Sequence, residues 1–403
     1  MVDLLGLIAI LIVSLVTLII ALCWPGISKI LFVALIVRVF FLLIGHFFIS
    51  LPDSTSDALG FEERAWDMAS NGFFSVLSNF DLGPFTFFSW LLAIPYSLFG
   101  RSILMAQSIS LLFGIASIFF GWKVAKILWD DRTANSVAWT IALFPSLILY
   151  SVLLLREVYI SFFLLLSVYC LVNWIKTNSF KWSILSLLGF ILAGLFHGAV
   201  FLGFIIAATI IIIKFFKQFI SLRNLVILIN FKNLIPVLVS IIIIGMYILN
   251  EINLSYVGSF RELIDVEFIL KKQKNLFIYK GDATWPEWTI ATNLIELFYK
   301  TPIRSLYFVF APFPWDITKL NHLFGFFDAL LYMYLVFLIL RNIKVIWMNP
   351  ALRAILMLLL FYIFIFSVGT GNFGTSIRHK SKFTFMFILL AAPLIKRFVF
   401  VKK

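Results

Sequence analysis

The chain has 403 residues, of which 63% are hydrophobic and 13% are charged, and its mean hydropathy is +1.07. A net charge of +13 could indicate nucleic-acid binding, but the basic residues lie in short loops between apolar segments. A bilayer core is about 30 Å thick and needs roughly 20 apolar helical residues to cross. Because uncharged apolar runs recur from end to end and do not alternate as strands do, the composition excludes a soluble domain. It predicts an all-α, polytopic integral membrane protein.

We predict about eleven transmembrane helices, within a range of roughly ten to thirteen. The predicted spans are 4–22, 30–50, 103–122, 134–151, 158–175, 183–198, 200–213, 234–249, 322–340, 351–368 and 383–399. Residues 84–100 are apolar but contain Pro84 and Pro95, so we predict a re-entrant or surface-lying amphipathic helix there. No internal repeat or heptad pattern is visible, so residues 1–403 are predicted to form a single membrane domain.

The charge distribution predicts the orientation. One set of loops carries most of the basic residues, among them Lys126, Lys214 and Arg397, with Asp130 and Asp131 as its only acids. The positive-inside rule places this side in the cytoplasm, together with the C-terminus. The opposite, outer side is assembled mainly from loops 51–102, 250–321 and 369–382. We predict a bacterial cytoplasmic membrane protein whose active site faces the periplasm or the exterior.

The first outer loop concentrates carboxylates in an otherwise apolar chain. Asp57 stands before a predicted helix, where it could act as a base, because partial desolvation at a membrane edge raises the pKa of a carboxylate. The alternative is that Asp57 caps that helix. Asp53 could cap as well, or share a divalent cation with Asp57, Mg²⁺ or Mn²⁺ being the cofactor we consider. Glu62 and its acidic neighbours are expected to form a solvated helix face.

From Asp57 the sequence reads D-A-L-G-F-E-E-R-A-W-D-M-A-S-N-G. Asp57, Phe61, Ala65, Met68 and Gly72 keep the spacing of the first-loop motif of polyprenyl-phosphate-sugar-dependent GT-C glycosyltransferases. The chain resembles this group, which includes protein O-mannosyltransferases and the aminoarabinose transferases of lipid A.

Two further stretches add to the resemblance, which covers about residues 30–215. Residues 84–100 are similar to the family's proline-led outer helix, and residues 142–157 to its span that ends in an acidic corner, here Glu157. Leu82-Gly83-Pro84 stands where the family usually has His/Lys-Pro-Pro. The resemblance implies a GT-C-like fold, a polyprenyl-linked sugar donor and a lipid or glycan acceptor.

Basic residues on the outer side suit the departing lipid phosphate. Arg156 can hold phosphate with its two-pronged guanidinium or can anchor the interface. The glycine-rich segment 369–382 precedes Arg378, His379 and Lys380, and its backbone N–H groups could bind an anion. The alternative is anchoring to acidic lipid. A similar loop occurs in O-antigen and capsule repeat-unit polymerases.

Four other outer residues are candidates for substrate contacts. His197 lies at a turn, where a structural hydrogen bond is the usual role. Trp285 could stack on a sugar or belong to an interfacial aromatic belt, while Arg304 and Asp316 are left open.

These features predict a glycosyltransferase of surface-polysaccharide biosynthesis. Its catalytic residues would be Asp57, Asp53 and Glu157, and its phosphate site would comprise Arg156, Arg378, His379 and Lys380. A repeat-unit polymerase is the first alternative, and a lipid-linked oligosaccharide flippase or secondary transporter is the second. Membrane lipids are the expected surroundings, and no nucleic-acid partner is expected.

Overall fold

The structure is a computed structural model that describes residues 3–80, 82–83, 86–221, 269–271, 273, 283–319 and 321–395. Within these residues the regular secondary structure is helical, apart from one antiparallel bridge between Thr284 and Asn372. The helices are α1 (Leu4–Cys23), α2 (Ser28–Phe47), α3 (Asp57–Ala69), α4 (Phe73–Ser78), α5 (Thr86–Phe99), α6 (Ile103–Leu128), α7 (Asp131–Leu143), α8 (Pro145–Tyr150), α9 (Glu157–Thr177), α10 (Phe180–Phe196), α11 (Gly198–Ser221), α12 (Leu294–Phe310), α13 (Asn321–Arg341), α14 (Ile343–Met348), α15 (Pro350–Gly369), α16 (Phe373–Ser381) and α17 (Thr384–Ile395).

Seven helices of the described part are long and apolar enough to cross a membrane, namely α1, α2, α6, α9, α11, α13 and α15. The apolar helices α10 and α17 are shorter. The prediction of a polytopic, helical membrane protein is therefore confirmed. The predicted span 234–249 lies outside the described residues, so the full number of crossings stays a prediction, as does the GT-C-like arrangement.

The predicted span 134–151 is wrong as a single helix, because the chain breaks between α7 and α8. Pro145 has no N–H group, so it cannot donate to the carbonyl of Ile141 four residues earlier. Arg38 of α2 supplies the missing donors: its Nη1 donates to the carbonyl of Ala142 at 2.7 Å and its Nη2 to that of Ile141 at 3.3 Å. A buried guanidinium thus satisfies the carbonyl end of α7.

Helix α5 packs against α3 and the end of α10. Near its start, the ring of Phe87 packs 5.1 Å from that of Phe196, at the end of α10. Just beyond its end, Arg101 pairs with Glu62 of α3. In between, the hydroxyl of Ser89 donates to the carbonyl of Phe61 at 2.9 Å, so α5 lies along α3.

The centre of the bundle is α17, where every residue from Thr384 to Ala392 is buried. It packs against α6, α7, α9, α13 and α15. The short helix α16 leads directly into α17, so its side chains lie above the middle of the bundle. The starts of α3 and α9 meet α16 there, and we call this the outer end.

Candidate active site

Three segments that are distant in sequence meet at the side chain of Arg378. Its Nε donates to Oε1 of Glu157 at 2.8 Å, and its Nη1 donates to Oδ2 of Asp57 at 2.5 Å. The Glu157 side chain is 1% exposed, whereas that of Asp57 is 53% exposed. One guanidinium therefore joins a carboxylate in the protein interior to another that faces outward.

Burial disfavours the charged form of Arg378, but the adjacent carboxylates of Glu157 and Asp57 outweigh this effect. They raise the pKa of Arg378 above its ordinary value, so the guanidinium stays protonated. Arg378 is a fixed positive charge in this site at any pH the protein encounters.

The glycine-rich segment before Arg378 is mostly helical. We expected an anion-binding loop over 369–382, but α15 continues to Gly369 and α16 begins at Phe373. The side chain of Asn372 caps α16 by accepting from the N–H of Thr375 at 2.7 Å. The segment therefore presents side chains at the site, rather than a glycine-rich cradle of backbone N–H groups.

Helical geometry decides which lysine joins Arg378. At 3.6 residues per turn, Lys382 follows Arg378 on the same face, whereas Lys380 points to the opposite one. Nζ of Lys382 lies 3.7 Å from Oε1 of Glu157 and 2.7 Å from Nδ1 of His379. Burial lowers the pKa of Lys382 to about 7, against the opposing effect of Glu157. Lys382 is not among the site residues predicted from the sequence.

Lys380 does not contact this site. Its Nζ donates to the carbonyl of Val309 at 2.9 Å and lies 4.4 Å from the centre of the Tyr332 ring. The side chain is fully buried, and this burial lowers the pKa of Lys380 to about 8. The prediction that Lys380 contacts a substrate phosphate does not fit this position.

We call Arg378, Asp57, Glu157 and Lys382 the Arg378 cluster, and the other predicted basic residues lie around it. The guanidinium carbon of Arg156 lies 4.9 Å from the centre of the Phe61 ring, one turn after Asp57 on α3. The rings of His197 and His379 are 5.5 Å apart. His197 therefore borders the cluster from the corner between α10 and α11.

Loop 51–56 holds Asp57 at the start of α3 in a strained backbone. Ser56 precedes the helix at φ 46°, and Asp53 has φ 61°, so two non-glycine residues occupy positive φ values within four positions. The Tyr150 hydroxyl donates to Oδ2 of Asp53 at 2.8 Å, which ties the loop to α8. Asp57 is the first helical residue and Ser56 stands at the cap position, so Asp57 does not act as the N-cap.

One oxygen of each carboxylate that could share a divalent cation is already engaged. Oδ2 of Asp57 receives Arg378 and Oδ2 of Asp53 receives Tyr150. Among the described residues there is no group of three or more His, Cys, Asp or Glu side chains that could hold a metal ion. A divalent cation, Mg²⁺ or Mn²⁺, shared by Asp53 and Asp57 stays a prediction.

Arg304 is buried in α12 and donates from three nitrogens to backbone carbonyls, so it is occupied structurally. The acceptors are Thr289, Ser367, Val368 and Thr370. Two of them belong to the last turn of α15, whose carbonyls lack helical partners. Arg304 thus fixes the end of α15 just before α16.

Trp285 belongs to the same structural unit. Its ring centre lies 5.1 Å from the guanidinium carbon of Arg304, and its backbone N–H donates to the carbonyl of Gly371 at 2.8 Å. Asp316 caps its own 3₁₀ turn by accepting from the N–H of Phe313 at 2.9 Å. The structure does not bring Trp285, Arg304 or Asp316 into contact with the Arg378 cluster.

The expectation of a solvated acidic face on α3 is wrong for Glu62, whose side chain is 1% exposed. Its two oxygens accept from Nε and Nη2 of Arg101 at 3.0 and 2.7 Å. This two-pronged pair fixes the turn after α5 against α3. Glu63 and Asp67 are exposed, as expected.

The site therefore combines an outward carboxylate with a set of cationic and ionisable groups at one end of a membrane bundle. Such a set can stabilise an anion, and the exposed oxygen of Asp57 can accept a proton from a hydroxyl group. No protein-family model matches the chain, and no curated protein or solved structure matches it either. The resemblance to GT-C glycosyltransferases stays a prediction from the sequence.

Proposed function

We propose that the protein is a membrane glycosyltransferase that moves a sugar or oligosaccharide from a polyprenyl-(pyro)phosphate carrier to an acceptor hydroxyl. The observation that carries the proposal is the contact of Arg378 with both Asp57 and Glu157. It sets a carboxylate that can act as a base directly beside a permanent cation. Transfer from a lipid phosphate to a hydroxyl needs a base for the acceptor and a cation for the departing phosphate.

Each residue has a distinct role in this reaction. Oδ1 of Asp57 belongs to the exposed carboxylate. It takes the proton of the acceptor hydroxyl as the hydroxyl oxygen attacks the anomeric carbon of the sugar. The bond from that carbon to the phosphate oxygen breaks, and the phosphate leaves with the bonding electrons. Arg378 and Arg156 stabilise the charge that develops on it. Glu157 is a positioning residue, because it holds Arg378 from the interior.

The active-site face belongs to the periplasm or the exterior in this proposal, in keeping with the distribution of basic residues. The predicted inner side contains the ion pair of Lys126 with Asp131 and the contact of Lys214 with the carbonyl of Ile175. Both lie at the end of the bundle away from Arg378. The distance of these two contacts from Arg378 supports the proposed orientation.

The test uses purified protein in lipid nanodiscs with a polyprenyl-phosphate-linked sugar and measures release of polyprenyl phosphate. Asp57→Asn should abolish release, because an amide does not accept the hydroxyl proton. Glu63→Gln is the matched control, since it neutralises an exposed carboxylate of the same helix away from Arg378. Full activity of Asp57→Asn would show that Asp57 is not the base.

Reconstitution into vesicles distinguishes transfer from transport. An enzyme converts the labelled donor and releases the carrier lipid phosphate. A flippase moves the intact donor between leaflets and leaves its sugar–phosphate bond unbroken. Crossing of unaltered lipid, without product, would overturn the proposal.

A further inference from the structure

A small cavity lies beneath the Arg378 cluster, between α2, α6, α9 and the end of α16. It offers about 20 Å³ to a water-sized sphere and is lined by Arg38, Gly114, Ser117, Glu157, Ser161 and Ser381, among others. One water molecule needs roughly 10–15 Å³ by this measure. The cavity has room for one water molecule and not for a larger ligand.

Two buried groups of opposite charge line this cavity, each with one atom that no described group satisfies. Arg38 is 1% exposed, and Nη1 and Nη2 donate to the end of α7, whereas Nε has no acceptor. This nitrogen lies close to Gly114, another residue of the cavity wall, because a Cβ built there would be 3.5 Å from it. Of the two Glu157 oxygens, Oε1 receives Arg378, whereas Oε2 has no donor.

A buried donor or acceptor without a partner destabilises a protein, and the effect is larger when the group is charged. A water molecule in a polar cavity commonly makes about three hydrogen bonds to such groups. The hydroxyl groups of Ser117, Ser161 and Ser381 supply further partners on the cavity wall. The donor, the acceptor and the available volume therefore all match one water molecule.

We propose that this cavity is a single-water site that links Arg38 to Glu157. The N–H of Nε donates to the water, and the water donates to Oε2. Arg38, at the middle of α2, is then a positioning residue. It orients Glu157, which orients Arg378 against Asp57. The catalytic consequence rests on the function proposed above, whereas the water site itself does not.

Two substitutions separate the water from the other tasks of Arg38. Arg38→Lys keeps a cation that can donate to the end of α7, but it lacks the Nε donor. Ser117→Val fills the cavity from α6 and leaves Arg38 in place. Its control is Ser108→Val on the same helix, because both hydroxyls are buried and both donate to the carbonyl four residues earlier. Ser108 does not line the cavity.

The first measurement is a cryo-electron microscopy map of the full chain in nanodiscs, bound to an antibody fragment, at a resolution that shows ordered water. Density for one water within hydrogen-bond distance of Nε of Arg38 and Oε2 of Glu157 is expected in the wild type, and its loss in Ser117→Val. A wild-type map with the cavity empty would overturn the proposal, whether or not the protein is a glycosyltransferase.

The second measurement is donor turnover. Ser117→Val and Arg38→Lys should each lower kcat about tenfold and leave KM for the donor within about twofold, since a misoriented catalytic group slows the chemical step more than it weakens binding. Ser108→Val should leave both values unchanged. Water density together with an unchanged kcat would overturn the positioning role of Arg38. Absence of any turnover in the wild type would contradict the proposed function and leave the map to decide the water site.

Discussion

The ion pair between Glu157 and Arg378 should be worth several kcal/mol in the free energy of unfolding. The Glu157 side chain is 1% exposed and that of Arg378 is 16% exposed, so Glu157→Gln leaves a largely buried guanidinium without its inner partner. Removing one member of a buried pair destabilises proteins by about 3–5 kcal/mol. Lys382 can release its proton, but Arg378 cannot, so Arg378 accounts for most of this loss.

A double-mutant cycle measures the coupling at pH 6. Glu157→Gln and Arg378→Gln should each lower the free energy of unfolding by about 3 kcal/mol. The loss in the double variant should be smaller than the two single losses added together, by at least about 2 kcal/mol. The control cycle is Lys126→Gln with Asp131→Asn, an exposed pair at 2.7 Å whose side chains are 49% and 71% exposed. That coupling should stay below about 1 kcal/mol.

The chain provides its own reporter for the assay. Cys170 is buried and becomes accessible to a thiol-reactive dye on unfolding, whereas Cys23 is exposed and is first replaced by serine. Thermal midpoints in detergent should fall by at least about 5 °C for Glu157→Gln. Additive effects within about 0.5 kcal/mol in the Glu157–Arg378 cycle would refute the reasoning, because they would show that the two charges do not stabilise each other.

Three further predictions address other parts of the molecule. Burial lowers the pKa of Lys382 to about 7 in the folded state, so the unfolded chain binds more protons than the folded one between pH 7 and about 10.4. The free energy of unfolding should therefore rise with pH over this range. Melting curves recorded at several pH values should show this rise in the wild type and a flatter one in Lys382→Met. A wild-type curve with the same slope as the variant would contradict this. Arg304→Lys should lower the free energy of unfolding by about 2–4 kcal/mol, because one ammonium group cannot replace three nitrogens that donate to four carbonyls. An unchanged melting temperature would show that these hydrogen bonds are dispensable. Positions 74 and 348 suit cysteine labelling, because Phe74 is 83% exposed and Met348 is 82% exposed. In a Cys23→Ser background, Phe74→Cys and Met348→Cys should react with an impermeant thiol reagent from opposite sides of the membrane. Labelling of both positions from one side would refute the predicted topology.

The class of the protein can be predicted from the sequence, because apolar runs long enough to span a bilayer are recognisable without knowledge of tertiary contacts. The sequence was insufficient at the break between α7 and α8. Pro145 signalled the break, but an apolar stretch that contains a proline can continue as a kinked helix. What decides the outcome is Arg38, about a hundred residues away, which satisfies the freed carbonyls.

The same limit applies to the site. Asp57 and Arg378 stood out as ionisable residues in outer loops, but their contact spans 321 residues of sequence. Lys382 could have been chosen over Lys380 from helical periodicity, had the segment been assigned as helix. Its three glycines favoured a loop, and the cap from Asn372 was not recognised. Glu62 was misassigned because its partner, Arg101, lies beyond another helix.

The position of Arg38 has a consequence for biosynthesis. The carbonyls that accept its hydrogen bonds are made 103 and 104 residues later in the chain. At roughly 5–20 residues per second, a ribosome needs about 5–20 s to produce them. During that interval α2 must enter the lipid with an unmatched charge at its centre, at an insertion penalty of about 2.5–3.5 kcal/mol. The phenylalanine, leucine and isoleucine residues around Arg38 are what keep this nascent helix in the bilayer until α7 arrives.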